Sequence, residues 1–182
     1  DKEYQSNIPD GIDEASLNNN RTMISLGLRW VPAQKYMSYP VYRNRLGSNY
    51  PTFRLNIDKA IGLINESSDF LKLRLSMEKD RMHLGVFGYS SLTAEYGRFL
   101  TNKKSNFIDN FHFLGNETPV YLESDFSNTF LASQYYSLSS TRPYAFITFQ
   151  HHFEGWMTDK IPLLNKLGVK TVAGVKSLLR SD

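Results

Sequence analysis

The stretch that decides the fold is Leu71-Lys72-Leu73-Arg74-Leu75-Ser76-Met77-Glu78, in which apolar side chains alternate strictly with polar or charged ones. An α-helix would spread the four apolar residues around its circumference, whereas a β-strand lines them up on one side. The stretch therefore predicts a β-strand with one apolar face and one charged face.

The same period of two, or a similar enrichment in aromatic residues, recurs along the chain from Arg21 onward. Short polar or Gly-containing stretches separate these segments and predict turns, at Asn65–Ser68 and Lys79–Arg81 among others. Glycines at 85, 88 and 97 predict bends or bulges. The sequence thus predicts an all-β, antiparallel fold of about seven or eight strands, with strands near 21–30, 53–58, 71–78, 84–97, 126–138, 143–154 and 169–177.

Two segments depart from this pattern. Residues 1–20, rich in Asn, Asp and Ser, predict a loop or disordered lead-in before a domain that covers 21–182. At 160–167, Pro162 begins an apolar cluster that ends before Gly168, which predicts a short amphipathic helix.

Composition narrows the possible functions. The 182 residues include 11 Tyr and 12 Phe, carry a formal net charge of +3 and contain no Cys. Without Cys, the chain has no disulfide scaffold, thiolate metal site or cysteine nucleophile. The low and dispersed positive charge argues against a nucleic-acid partner. No apolar run approaches the roughly 18 to 20 residues of a membrane helix, but barrel strands need only about 9 to 11 alternating residues.

The two faces of the predicted strands allow two arrangements. A soluble sandwich or lipocalin-like barrel buries the apolar face and exposes the charged one, whereas a membrane barrel turns the apolar face to lipid and the charged face to a wet lumen. The membrane arrangement predicts lumen-facing residues Arg29, Arg54, Asp58, Lys72, Arg74, Glu78, Glu95, His152, Glu154 and Lys170. It predicts lipid-facing residues Leu26, Leu28, Phe53, Leu55, Ile57, Leu71, Leu73, Leu75, Met77, Ile147 and Phe149.

The His and Ser residues that could bind a metal or act in catalysis are better explained without such a role, so the sequence predicts no catalytic, metal or cofactor site. His151 and His152 are adjacent, so a regular strand points them to opposite faces and they cannot hold one ion together. His152 is better explained as a hydrogen-bonded wall pair with Glu154, two residues along. Serines occur at 90, 91 and 133, but no spacing forces one of them next to a His.

Most of the chain, from about residue 46 to 176, resembles a known family. The motifs that carry the likeness are Gly115-Asn116-Glu117-Thr118, His151-His152-Phe153-Glu154-Gly155 and Lys160-Ile161-Pro162-Leu163-Leu164-Asn165-Lys166-Leu167, preceded by Leu46-Gly47-Ser48-Asn49-Tyr50-Pro51-Thr52-Phe53. Over about 46–176 they resemble a Bacteroidetes-type outer-membrane family of unknown function, in which a carboxypeptidase-regulatory-like domain precedes a large β-barrel.

The resemblance implies that this chain is an excerpt of a larger transmembrane β-barrel in the outer membrane of a Gram-negative bacterium. Its implied partners are outer-membrane lipid and other outer-membrane or periplasmic proteins of a larger complex. Three functions stay open from the sequence. They are a non-catalytic barrel for passage, assembly or surface display, an outer-membrane enzyme that modifies lipid, and a soluble ligand-binding β-barrel or sandwich.

Overall fold

The computed structural model describes residues 21–62, 68–84, 88–117, 129–131, 133–156 and 158–181. The predicted lead-in at 1–20, most of the predicted turn at 65–68 and the predicted bulge at Gly85 lie outside these residues. The described strands are β1 (Thr22–Trp30), β2 (Lys35–Ser38), β3 (Arg43–Gly47), β4 (Thr52–Ile61), β5 (Asp69–Met82), β6 (Tyr89–Lys104), β7 (Leu114–Asn116), β8 (Thr129–Leu131), β9 (Tyr144–His152) and β10 (Val172–Arg180).

Six of these strands form one antiparallel sheet in the order β1-β4-β5-β6-β9-β10. β2 and β3 form a separate hairpin between β1 and β4, and the short strands β7 and β8 pair in parallel. The protein is therefore all-β. Within the described residues β1 and β10 are the two edges of the large sheet and do not pair with each other, so the described sheet is open.

A short helix, α1 (Pro162–Lys166), connects β9 to β10, as the sequence predicts. Pro162 is the first residue of the helix. Proline lacks a backbone N–H, but an N–H at this position would have no partner within the helix, so no hydrogen bond is lost. Gly168 follows the helix with φ +64, a left-handed conformation that glycine adopts without a Cβ clash. In the part of the chain that the structure describes, no helix is long and apolar enough to cross a membrane.

The strand predictions near 21–30, 53–58 and 71–78 are confirmed by β1, β4 and β5. The prediction of a turn at Lys79–Arg81 is wrong. β5 continues to Met82, because a bulge between Lys79 and Met82 absorbs the left-handed Arg81 (φ +51) without ending the pairing.

Two other boundaries also differ from the sequence prediction. The strand predicted at 126–138 is wrong over most of its described part, where only Thr129–Leu131 is extended and residues 135–138 form a turn. Conversely, β6 runs on to Lys104, seven residues beyond the end of the strand predicted near 84–97. Bulges in its pairing with β5 let the strand continue through a polar sequence that lacks clean alternation.

Candidate functional site

The register of the large sheet sorts its side chains onto two faces, because directly opposed residues point the same way. One row runs across six strands through Arg29, Arg54, Ser76, Glu95, Phe146 and Leu178. This side of the sheet is called the polar face. Eight of the predicted lumen residues share it: Arg29, Arg54, Asp58, Lys72, Arg74, Glu78, Glu95 and His152.

The opposite side is called the apolar face. Its central row runs through Leu28, Leu55, Leu75, Tyr96, Ala145 and Leu179. The register places all eleven residues predicted to face lipid on this side. Whether the two sides meet a lumen and lipid stays a prediction.

Two predicted lumen residues are not on the sheet. Glu154 lies in the turn after β9 with φ +51, and Lys170 precedes β10. They contact each other through Lys170 Nζ and a Glu154 carboxylate oxygen at 2.6 Å, and this hydrogen bond lowers the pKa of Glu154. The His152 ring stacks on Tyr89 with centroids 4.5 Å apart. β9 ends at His152, so Glu154 lies in the turn beyond the strand, and the predicted wall pair of His152 and Glu154 stays a prediction.

The polar face is covered by the chain between β6 and β9. The described parts of this covering segment are residues 105–117, 129–131 and 133–143. Phe111 meets Tyr144 edge-on at 4.8 Å between ring centroids, and Phe113 meets the same ring at 4.7 Å. Phe130 packs on Phe146 at 5.5 Å. These aromatic contacts form the main buried cluster of the described residues, so the core lies on the polar side of the sheet.

Charged side chains beneath the covering segment contact aromatic rings or hydrogen-bonding groups. The ammonium of Lys72 lies 4.8, 5.0 and 5.3 Å from the ring centroids of Phe70, Phe99 and Phe111, within the range of cation–π attraction. The hydroxyl of Tyr144 donates a hydrogen bond to Glu95. Gly97 makes room for this arrangement, because a Cβ there would collide with the Tyr144 ring.

Asp109 anchors the covering segment and was not found from the sequence. Its carboxylate is fully buried and accepts hydrogen bonds from Ser68 Oγ, from the Asn106 backbone N–H at 3.0 Å and from Arg21 Nη1 at 2.8 Å. Burial alone would raise the pKa of Asp109, but the donors outweigh it and the pKa is lowered. The spacing of Asn106 and Asp109 fits a capping box, a local signal that could have found this pair.

A serine and a histidine meet on the apolar face. Ser90 and His151 are directly opposed on β6 and β9, and Ser90 Oγ lies 2.7 Å from His151 Nδ1. The sequence spacing did not suggest this contact, which depends on the register of two strands 61 residues apart. Ser90 is fully buried, so its hydroxyl is closed to an external substrate.

No group of three or more His, Asp or Glu side chains that could hold a metal ion occurs among the described residues. Among the described residues, there is a hollow on each side of the sheet. A cavity of about 220 Å³ lies on the polar side between Arg74, Glu95, His112 and the aromatic cluster. An open groove of about 570 Å³ lies along the apolar face, lined mainly by Leu28, Phe53, Leu55, Leu75, Tyr96 and Ile147.

Comparison with known proteins identifies one family. The model of the C-terminal domain of a family of unknown function, DUF5686, matches residues 1–182, so the chain belongs to that family. No curated protein and no solved structure matches. The predicted membership of a family of unknown function is confirmed at that level. The outer-membrane barrel and the Bacteroidetes origin stay predictions.

Proposed function

We propose that this member of the DUF5686 C-terminal-domain family is part of the wall of a β-barrel in the outer membrane of a Gram-negative bacterium. The observation that carries the proposal is the inverted burial of β9. Thr148 and Gln150 are only 2% and 7% exposed. Their neighbours on the strand, Ile147 and Phe149, are 44% and 36% exposed. A soluble sheet buries its aliphatic residues and exposes its polar ones, and a membrane barrel does the opposite.

The height of the apolar face supports the same proposal. On β5 the apolar positions Leu71 to Met77 are bounded by Asp69 at one end and Lys79 at the other. Ten steps of about 3.3 Å separate these two charged residues by roughly 33 Å along the strand. With a tilt of about 40°, this becomes about 25 Å along the membrane normal, the height of the lipid-facing band of such barrels.

Closure of the wall requires more strands than the described sheet contains. Within the described residues β1 and β10 each leave one edge of backbone N–H and C=O groups without a neighbouring strand. Such edges are too costly in hydrocarbon, where water cannot satisfy them. We therefore propose that further strands pair with β1 and β10 in the complete barrel.

The proposed role is non-catalytic, in passage, assembly or surface display within the cell envelope. In this arrangement the covering segment occupies the lumen side of the wall, where its contacts with Tyr144 and Phe146 narrow any path along the polar face. The proposed partners are outer-membrane lipid and other envelope proteins.

A pair of labels on neighbouring residues tests the orientation of the sheet. Leu75→Cys and Ser76→Cys are adjacent on β5 but lie on opposite faces. Each is introduced into full-length protein without other reactive Cys, labelled with an environment-sensitive fluorophore and reconstituted in vesicles. We expect nitroxide groups on lipid acyl chains to quench the label at 75 and to leave the label at 76 largely unaffected. Equal quenching at both positions, or none at 75, contradicts the proposal.

A second candidate, a lipid-modifying enzyme, is favoured by the contact between Ser90 and His151 on the apolar face. Its nucleophile would be Ser90, whose burial argues against the role. A fluorophosphonate probe, which labels activated serines, distinguishes the two. We expect no labelling of the full-length protein in detergent. Labelling that disappears in Ser90→Ala would instead establish the enzyme.

A further inference from the structure

The connection between β9 and β10 holds large apolar side chains at its surface. The structure describes this connection, called the α1 connection, at residues 153–156 and 158–171. Leu163 and Leu167 are 69% and 67% exposed, and none of the side chains of α1 is buried in the described structure. The two leucines are four residues apart, so they lie on the same side of the helical turn, and Asn165 lies on the opposite side.

Hydrogen bonds fix the shape of the α1 connection. The Leu167 N–H donates to the Leu163 carbonyl at 3.3 Å, which closes the helical turn. The hydroxyl of Thr158, a buried residue, donates to the Val169 carbonyl at 2.6 Å and ties the two arms of the connection together. The two leucines therefore project from a defined turn. An apolar group held at a surface in this way marks a site of contact with another molecule or with a membrane.

A series of ring contacts joins the α1 connection to the apolar face of the sheet. His151 lies on that face at the end of β9. Its ring meets the Phe153 ring edge-on with centroids 4.4 Å apart, and the Phe153 ring stacks on Trp156 at 6.2 Å. Lys160 Nζ lies 5.4 Å from the centroid of the Trp156 ring. The α1 connection therefore begins beside the apolar face, and a surface that meets this end of the face is close to the connection as well.

Both tryptophans of the chain lie at this end of the sheet. Trp30 is the last residue of β1 and is on the apolar face, two residues beyond Leu28. Trp156 follows the end of β9. Because neighbouring strands are antiparallel, β1 and β9 run in the same direction and end at the same end of the sheet. Tryptophan is enriched where lipid acyl chains meet the headgroups, so the two residues indicate the level of that boundary.

We propose that the α1 connection lies in the headgroup layer of the membrane, with Leu163 and Leu167 inserted between lipid acyl chains beside the barrel wall. The proposal rests on the proposed function, because it requires the apolar face to meet lipid. Lys160 and Lys166 are exposed on the same connection. Their long side chains can reach lipid phosphates while the carbon stems stay in apolar surroundings. A protein partner over the two leucines would compete with the lipid that the neighbouring apolar face requires.

Labels at two positions of α1 test the proposal in full-length protein without other reactive Cys. Leu163→Cys is the test position, and Asn165→Cys, which is also exposed but lies on the opposite side of the turn, is the matched control. Each variant carries an environment-sensitive fluorophore in vesicles of phosphatidylcholine and phosphatidylglycerol. The quenching nitroxide is placed either near the lipid headgroup or near the end of the acyl chain. Leu75→Cys, labelled in the same way, reports independently on contact between the sheet and lipid.

We expect the label at 163 to be quenched more strongly by the shallow nitroxide than by the deep one, because an interfacial helix lies near the headgroups. Its quenching should exceed that of the label at 165 about twofold or more, since opposite sides of a helix are roughly 10 Å apart.

Two results overturn the proposal while the barrel stands. Equal quenching at 163 and 165 would show that α1 does not turn its leucines to lipid. Absence of quenching at 163, with strong quenching at 75, would assign the two leucines to a protein contact instead. Absence of quenching at 75 is a different result, because it overturns the barrel and the α1 proposal with it.

Discussion

Asp109 joins three distant parts of the chain at one buried carboxylate. Arg21 directly precedes β1, Ser68 directly precedes β5, and Asn106 lies in the covering segment. A buried carboxylate is stable only when donors replace its lost water, and here three donors do so. The residue therefore fixes the covering segment to the sheet.

The substitution Asp109→Asn should destabilise the protein by about 2 to 3 kcal/mol, because it removes the charge that the Arg21 guanidinium and Ser68 bind. Chemical denaturation of the full-length protein in lipid vesicles measures the change. Asp80→Asn is the matched control, because Asp80 is exposed near the end of β5. Equal midpoints for the two variants would show that Asp109 does not anchor the segment.

The contribution of Asp109 should depend on pH in one direction. Burial opposes its charge, but the donors lower its pKa below the ordinary value of about 3.9 for an unfolded Asp. Its stabilising effect is therefore complete above the unfolded pKa and disappears as the pH falls through the folded pKa. The difference in unfolding free energy between wild type and Asp109→Asn should be constant from pH 7 to 5 and shrink below about pH 4. A difference that grows on acidification contradicts this assignment.

The strands of the large sheet differ in how well the sequence predicts them. β1, β4 and β5 alternate cleanly, so their faces follow from period two alone. The segment at 126–138 contains aromatic residues for a different reason, since Phe130 packs onto the sheet as part of the covering segment. The β2–β3 hairpin was missed because its strands are only four and five residues long.

The candidate sites were less predictable than the strands. The sequence separated the charged and apolar faces correctly, because alternation is a local property. The contact of Asp109 with Arg21, 88 residues away, joins two segments outside the strands, and the contact of Ser90 with His151 depends on strand register. Neither contact leaves a local signal. The sequence therefore predicted the two faces of the wall but not the groups that anchor the covering segment.

A charge on the apolar face of β5 should be costly only if that face meets lipid. Leu75 is 44% exposed in the described structure, so a soluble sheet would tolerate Leu75→Lys at modest cost. In a bilayer the same change should cost about 2 to 4 kcal/mol near the midplane. Unfolding of the full-length protein in vesicles measures the cost. Val41→Lys, at a loop position that is 93% exposed, is the control and should change stability by about 0.5 kcal/mol or less.

In the molecule as a whole, the apolar side of the sheet is exposed and the polar side is covered, which is the reverse of a soluble sheet. The polar face carries the buried aromatic cluster and the ion pairs of Arg54 with Glu78 and of Arg74 with Glu95, and the apolar face is open from β1 to β10. A contiguous apolar surface of this kind is larger than soluble monomers normally expose. The proposed contact with lipid would remove this conflict, and the proposed further strands would pair the backbone groups at the two edges.

The measurement that tests this account most directly is fractionation of the full-length protein, followed by gel electrophoresis of boiled and unboiled detergent samples. We expect the protein in the outer-membrane fraction, with a band that shifts on boiling, because a closed barrel resists detergent until it is heated. A protein that fractionates without detergent and shows no shift would contradict the barrel and make the soluble ligand-binding sheet the better explanation.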